Sequence, residues 1–439
     1  MLLTKRKPHN TTRWQHHAAP ANRATNIAAR LVRWSLFNLL GVAALGVLMR
    51  AIPLLPLFPL AYKNVLHGHS HFAFGGWVMP ILLALILKSF PQLATQVAYP
   101  HWRNISVLLL ASAYGMVLAF PLQGYAPMAI FFATLSIVAG YYLAWVVWRA
   151  VRQLPPGTGL RFVSAGLFYL TLASIGPFIT GPLTAMGLQY TPFYYNAIYG
   201  YLHFTYNGWF TFAVLGLLYQ YLESNGGSKY GVLVYPLMHA ACVPTYLLSV
   251  LWNKPAPVFY VIGGLGALLQ VAATGLLLAD VLPLQWAARK GRWLLVLSLL
   301  AFVLKQVLQL ASAFPTVAEM AAANRSFVIS YLHLVLLGFV SLFMLWAMQR
   351  KGLLRLEKES RKGLYVFLVG FTTTELLLVA AGFHFIVPCF VAALLFAAAL
   401  MLGGLLWMTG PLLQVLAWAG TPLHRVFVRY IAAPGQIRT

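Results

Sequence analysis

Apolar residues run through this chain in long unbroken stretches, separated by short polar, basic or Pro- and Gly-containing segments, none long enough to fold alone. A helix needs about 20 apolar residues to cross a bilayer. The pattern therefore predicts spans near 33–54, 64–89, 105–122, 127–150, 160–183, 195–222, 229–252, 257–281, 292–313, 326–349, 363–386 and 388–408. These runs are continuously apolar and far too long for alternating strands, which excludes a β-barrel. The expected fold is all-α, an integral membrane twelve-transmembrane-helix bundle over 33–408, with a polar basic N-terminal tail at 1–32 and a cytoplasmic C-terminal tail at 409–439. The first run is too long, and followed by too little of a cleavage signature, to be a removed signal peptide.

Composition agrees: 61% of the residues are apolar or aromatic and only 8% are charged, a balance that a water-solvated surface does not tolerate. The net charge of +24 raises the question of nucleic acid. The basic residues nevertheless sit in short clusters between apolar runs, which makes them topology signals with anionic lipid as their neighbour. An even number of spans puts both termini on one side. With that side cytoplasmic, 25 of the 30 Lys and Arg residues lie inside, against Arg50, Lys63, Lys254 and Arg325 outside and Lys305 within a span. The heaviest cluster follows the tenth span, from Arg350 to Lys362. The expected location is a bacterial inner membrane. Cys242 and Cys389 lie in apolar runs with no CxxC or CxxCH spacing, so covalent haem, iron–sulfur clusters and a disulfide scaffold are not expected. His16 and His17 are read as part of a solvated tail.

Ionisable side chains at bilayer depth are costly and mark function by default. Histidine is the recurrent one. The second span opens with His67, His69 and His71, the sixth carries Tyr201, His203, Tyr206 and Asn207, and the tenth carries Tyr331 and His333. All three spans run from outside to inside, so these histidines share one depth in the outer half. A frame recurs in which glycine follows histidine by five residues: His71 to Gly76, His203 to Gly208, His333 to Gly338. In an α-helix that is about one and a half turns, so the glycine faces away from the histidine and admits a close neighbouring helix. Neutral imidazole ligates haem iron, copper or zinc, and imidazoles from two helices can clamp a porphyrin. The absence of an intramembrane HExxH argues against a zinc hydrolase. His239, Lys305, Gln306, Gln309 and Glu375 are further polar residues within spans, with Gln123 and His384 at outer ends, and Lys305 or Glu375 is a candidate for a proton path.

Twelve spans with intramembrane histidines confined to spans two, six, seven and ten resemble the large subunit of the haem-copper oxidase superfamily. The run from Tyr331 to Gly338 is most similar to the tenth-span motif of its nitric oxide reductase and cbb3-type branches. The resemblance implies a haem, b-type by expectation, clamped by a second-span histidine and His333. It makes His203 and His239 the metal residues of a second site, for copper or non-haem iron. Spacing to Met79 and Pro80 selects His69 as the second-span ligand, whereas the shared histidine-to-glycine frame selects His71. At 100° per residue His69 points about 200° from either neighbour, so His69 and His71 cannot both face the haem.

The chain departs from the family where it has Tyr331 in place of the second haem's ligand, Asn207 four residues after His203, and His239 without an adjacent histidine. Tyr331 is expected to hydrogen bond rather than ligate, since a phenol of ordinary pKa near 10 needs a strong cation to ionise. Two functions follow: an oxidoreductase that reduces a diatomic gas with electrons from a quinol or partner cytochrome, or a non-catalytic haem protein that relays electrons or senses gas, similar to the NnrS-type membrane proteins. Additional subunits are possible partners under either reading, and nucleic acid is not.

Overall fold

The computed structural model describes residues 15–55, 58–283 and 291–419, with side chains described over 26–55, 58–283 and 291–410. Every regular element among them is helical. Eleven helices are long and apolar enough to cross a membrane: α1 Asn26–Leu54, α2 Tyr62–Ser89, α3 Tyr99–Gln123, α4 Pro127–Val151, α5 Thr158–Ala185, α7 Gly231–Asn253, α8 Pro257–Val281, α9 Arg292–Ala311, α10 Arg325–Arg350, α11 Lys358–Gly382 and α12 Phe390–Gly410. The helical run 192–223, here α6, falls outside that set because its first half is rich in Tyr, Asn and His. The chain thus forms a multi-pass helical membrane bundle.

The ends differ from expectation. Helix already begins at Gln15, within the stretch expected to be a polar tail, because Ile27, Ala28, Leu31 and Val32 make a one-sided apolar stripe that is buried in the core. At the other end the helix continues to Ala419. The side chains of His16 and His17 lie outside the described residues.

α2, α6 and α10 are the inner helices. Residues 76–87, 203–219 and 338–348 are buried on every side, which for a helix apolar all round means enclosure by other helices. Trp77 Nε1 donates to Ser341 Oγ at 2.9 Å, tying α2 to α10, and Trp209 Nε1 donates to Met79 Sδ at 2.7 Å, tying α6 to α2. Each inner helix also widens into a π-helical turn: Ala73–Val78, Phe204–Phe210 and Leu334–Ser341. Their i→i+5 bonds include Met79 N–H to Phe74 O, Thr211 N–H to Tyr206 O and Leu342 N–H to Leu337 O.

These π turns revise the geometry expected of the glycine frame. His203 and His333 immediately precede their π segments, so the glycine five residues on is one wide turn away rather than one and a half. The packing role holds at two of the three glycines: a Cβ on Gly208 would strike Tyr169 of α5, and one on Gly338 would press on Ala301 of α9. Gly76 instead accommodates Phe72 of its own helix.

On the basic side, Lys351 sits in the turn after α10, where burial and the neighbouring Lys88 and Arg350 hold its amine below lysine's ordinary range. The tightest helix pair is α11 with α12, where a Cβ on Gly404 would collide with the Phe367 backbone and one on Gly363 with the backbones of Met408 and Gly404. Gly404→Val should therefore cost about 1–3 kcal/mol by overpacking, measured as loss of unfolding free energy in detergent. Substitution at Gly403, whose Cβ would meet open space, should leave stability unchanged; equal effects at both positions would contradict the close approach.

Candidate functional site

Four groups from four helices come together toward the end of the bundle where α2 and α10 begin: Arg50 at the end of α1, His69 of α2, His333 of α10 and Glu375 of α11. His69 points toward α1, where its ring faces Gly46 and its Nδ1 lies 3.0 Å from Val42 O. A carbonyl only accepts, so Nδ1 carries the proton and Nε2 presents its lone pair. His333 Nδ1 lies 3.0 Å from Glu375 Oε1, and Ser330 Oγ donates to Glu375 Oε2 at 2.6 Å. With the carboxylate ionised, Nδ1–H is the donor and Nε2 of His333 is again the free lone pair. The two imidazoles are within electrostatic range of each other, and Arg50 is within range of both His69 and Glu375.

His71 is placed differently. Its Nε2 lies 3.1 Å from Tyr125 OH, and its ring stacks on Phe120 with centroids 4.5 Å apart. His67 packs edge-on to the same Tyr125, and its Nε2 has no partner. The two second-span candidates therefore part company on hydrogen bonding: His69 looks across α1 with Nε2 free, while His71 spends Nε2 on the loop tyrosine.

His203 and His239 occupy a second polar region between α5, α6 and α7. His203 is fully buried, its Nε2 donates to Cys242 O at 2.8 Å, and Asn207 Nδ2 approaches its Nδ1 at 3.1 Å. Both ring nitrogens are thus engaged. His239 Nδ1 lies 2.8 Å from Tyr169 OH, and its ring stacks on Tyr235. Tyr169 also contacts Cys242, so the two histidine environments adjoin through that pair although the imidazoles bind different partners. Among the described residues no group of three or more His, Cys, Asp or Glu side chains is gathered in a way that could hold a metal ion. Tyr331 packs its ring against Tyr206 of α6 at 6.4 Å.

Two features escaped sequence reasoning. Glu375 was visible as an intramembrane acid, but its pairing with His333 depends on how α10 and α11 pack. Tyr125 lies in a loop and carries no signal of its own. No protein-family model matches the chain, and no curated protein matches it.

The geometry orders the histidines by reactivity toward diethyl pyrocarbonate, which attacks an accessible imidazole lone pair. His384, exposed beyond the end of α11, should be modified well before the fully buried His203, which mass spectrometry of quenched time points would resolve. Equal rates would contradict the enclosure of His203.

Proposed function

We propose that this protein is a haem-binding electron carrier of a bacterial inner membrane, crossing twelve times with both termini in the cytoplasm and holding a haem between His69 and His333. The observation that carries the reading is the shared state of these two imidazoles. They come from separate inner helices, lie within electrostatic range of each other, and each engages Nδ1 with an acceptor in a way that leaves Nε2 free. An oriented Nδ1–H with an available Nε2 is the arrangement that metal-ligating histidines adopt. The donor set therefore fits a six-coordinate, b-type haem, with Arg50 as the nearby cation for an anionic substituent. When bound, the haem supplies one-electron transfer.

The chain's own residues do the rest. Val42 O fixes the ring of His69, and Glu375 fixes that of His333 and makes it a stronger donor. Ser330 holds the second carboxylate oxygen, so Glu375 stays aimed at the imidazole. A quinol or a partner cytochrome is the expected electron source. The gas-reducing alternative needs a second metal site at His203 and His239. The engagement of both His203 nitrogens, by Cys242 O and Asn207, supports the non-catalytic reading instead.

Purified protein should contain about one haem iron per chain and show a low-spin six-coordinate spectrum. His333→Ala and His69→Ala should each abolish that spectrum, while His71→Ala should retain it. Protein free of haem, or an unchanged spectrum in the His333 variant, would overturn the proposal; loss in the His71 variant with retention in the His69 variant would reassign the second ligand. The topology has its own check. In a Cys389→Ser background, which removes the exposed native thiol, a cysteine introduced at Gly352 should be labelled by an impermeant thiol reagent only in inside-out vesicles, and one at Gly187 only in right-side-out cells.

A further inference from the structure

Lys305 of α9 is completely buried, and its recorded hydrogen bond is a 3.3 Å contact to Gln306 Oε1. It lies within electrostatic range of His203 of α6 and Cys242 of α7, so it stands in the bundle interior rather than reaching for a headgroup. A buried ammonium is costly unless an opposite charge compensates it. The chain has six acidic side chains, and each is occupied or remote. Glu223 caps α5 at Thr158 N, and Asp280 accepts from Ser228 and the backbone N–H groups of Lys229 and Tyr230. Glu319 pairs with Lys254, Glu359 with Lys362, and Glu375 with His333. Glu357 is exposed ahead of α11. No side-chain carboxylate, all six being among the described residues, reaches Lys305.

A second, independent observation points to the same place. Gln306 Nε2, Gln309 Oε1, Gln270 Oε1, Asn207 Oδ1 and Thr205 Oγ1 are buried polar atoms without a hydrogen-bond partner. Gln306 and Gln309 share the buried face of α9 with Lys305. Gln270 donates to Thr245 Oγ1, Thr245 in turn donates to Cys242 O, and that oxygen is the acceptor of His203 Nε2. Native interiors leave few such groups unpaired, and each calls for an occupant.

We infer that Lys305 and the amides beside it form an internal binding site for a small monovalent inorganic anion of the halide, nitrite or nitrate class. Water can satisfy amide atoms, but it carries no charge to compensate the ammonium. An anion does both at Lys305 Nζ and Gln306 Nε2, the two donors that sit side by side. Gln309, whose Oε1 has no partner, can turn its NH2 group inward, since amide orientation follows the network around it, whereas Gln270 and Asn207 keep theirs on Thr245 Oγ1 and His203 Nδ1. Burial of Lys305, Gln306 and Gln309 inside the bundle means that a guest must shed its water to reach them, which favours a small monovalent ion. The site is independent of the haem reading and would stand without it.

The test uses the full-length protein in nanodiscs at fixed ionic strength, with sodium gluconate replaced stepwise by sodium chloride, nitrite or nitrate. A ligand that binds only the folded state raises the thermal midpoint in a saturable way. Wild type should show such a rise with at least one of the small anions and none in gluconate. Lys305→Met should lose the anion-specific rise. Gln306→Glu, which tethers a carboxylate next to the amine, should be more stable than wild type in gluconate and insensitive to the small anions. No anion-specific rise in wild type would mean that water alone, or an uncharged amine, fills the region, and would overturn the site. A rise retained in Lys305→Met, or a Gln306→Glu variant that still responds, would overturn it equally.

Discussion

Lipid offers no hydrogen bonds, and that single constraint organises this molecule. Polar side chains and irregular backbone must be enclosed by protein or paired with one another. α2, α6 and α10 carry most of the intramembrane histidines and the three π turns found among the described residues, and they are the helices buried on every side over their C-terminal halves. The surrounding helices present Leu, Val, Ile and Phe outward: Val107, Leu118, Phe131, Val261, Leu300 and Leu376 are all exposed. A soluble protein could not tolerate that surface, whereas here it is the solvated one.

The π turns connect this constraint to the site. A π turn leaves a carbonyl poorly served within the helix, and two hydroxyls repair the deficit: Thr211 Oγ1 donates to Tyr206 O at 2.7 Å, and Ser341 Oγ donates to Leu336 O at 2.7 Å. Ser341 then accepts from Trp77, so the repair of α10 is also its link to α2. The widened turns lie just inside the histidines. The same backbone irregularity that needs protein cover therefore separates the densely packed half of the inner helices from the half that carries the imidazoles. π turns concentrate at functional sites in helical proteins, and their coincidence with three histidine segments is why the half that carries the imidazoles merits the functional reading.

Within that half, hydrogen bonding sorts chemically identical side chains into different roles. His69, His71, His203 and His333 are all intramembrane imidazoles. His69 and His333 commit Nδ1 and keep Nε2, His71 commits Nε2, and His203 commits both nitrogens. Lys305 stands apart as a buried amine whose side-chain hydrogen bond goes to Gln306 and that no side-chain carboxylate reaches.

That the chain is an all-helical bundle of long apolar spans, and where most of those spans run, is readable from the sequence, because hydropathy acts over whole segments and needs no knowledge of neighbours. Gly208 and Gly338 were likewise readable as points of close packing. The start of α1 was misjudged, since the apolar stripe of Ile27, Leu31 and Val32 counts only once a partner surface covers it. The choice between His69 and His71 stayed open for a related reason. Both alignments were sound as patterns, and what distinguishes the residues is a carbonyl 27 positions away in α1 and a tyrosine 54 positions away in a loop. Pairing of His333 with Glu375, engagement of both His203 nitrogens and the isolation of Lys305 from every carboxylate are relations between helices. Sequence determines which helices exist and what they carry; only their packing decides which lone pairs are left free.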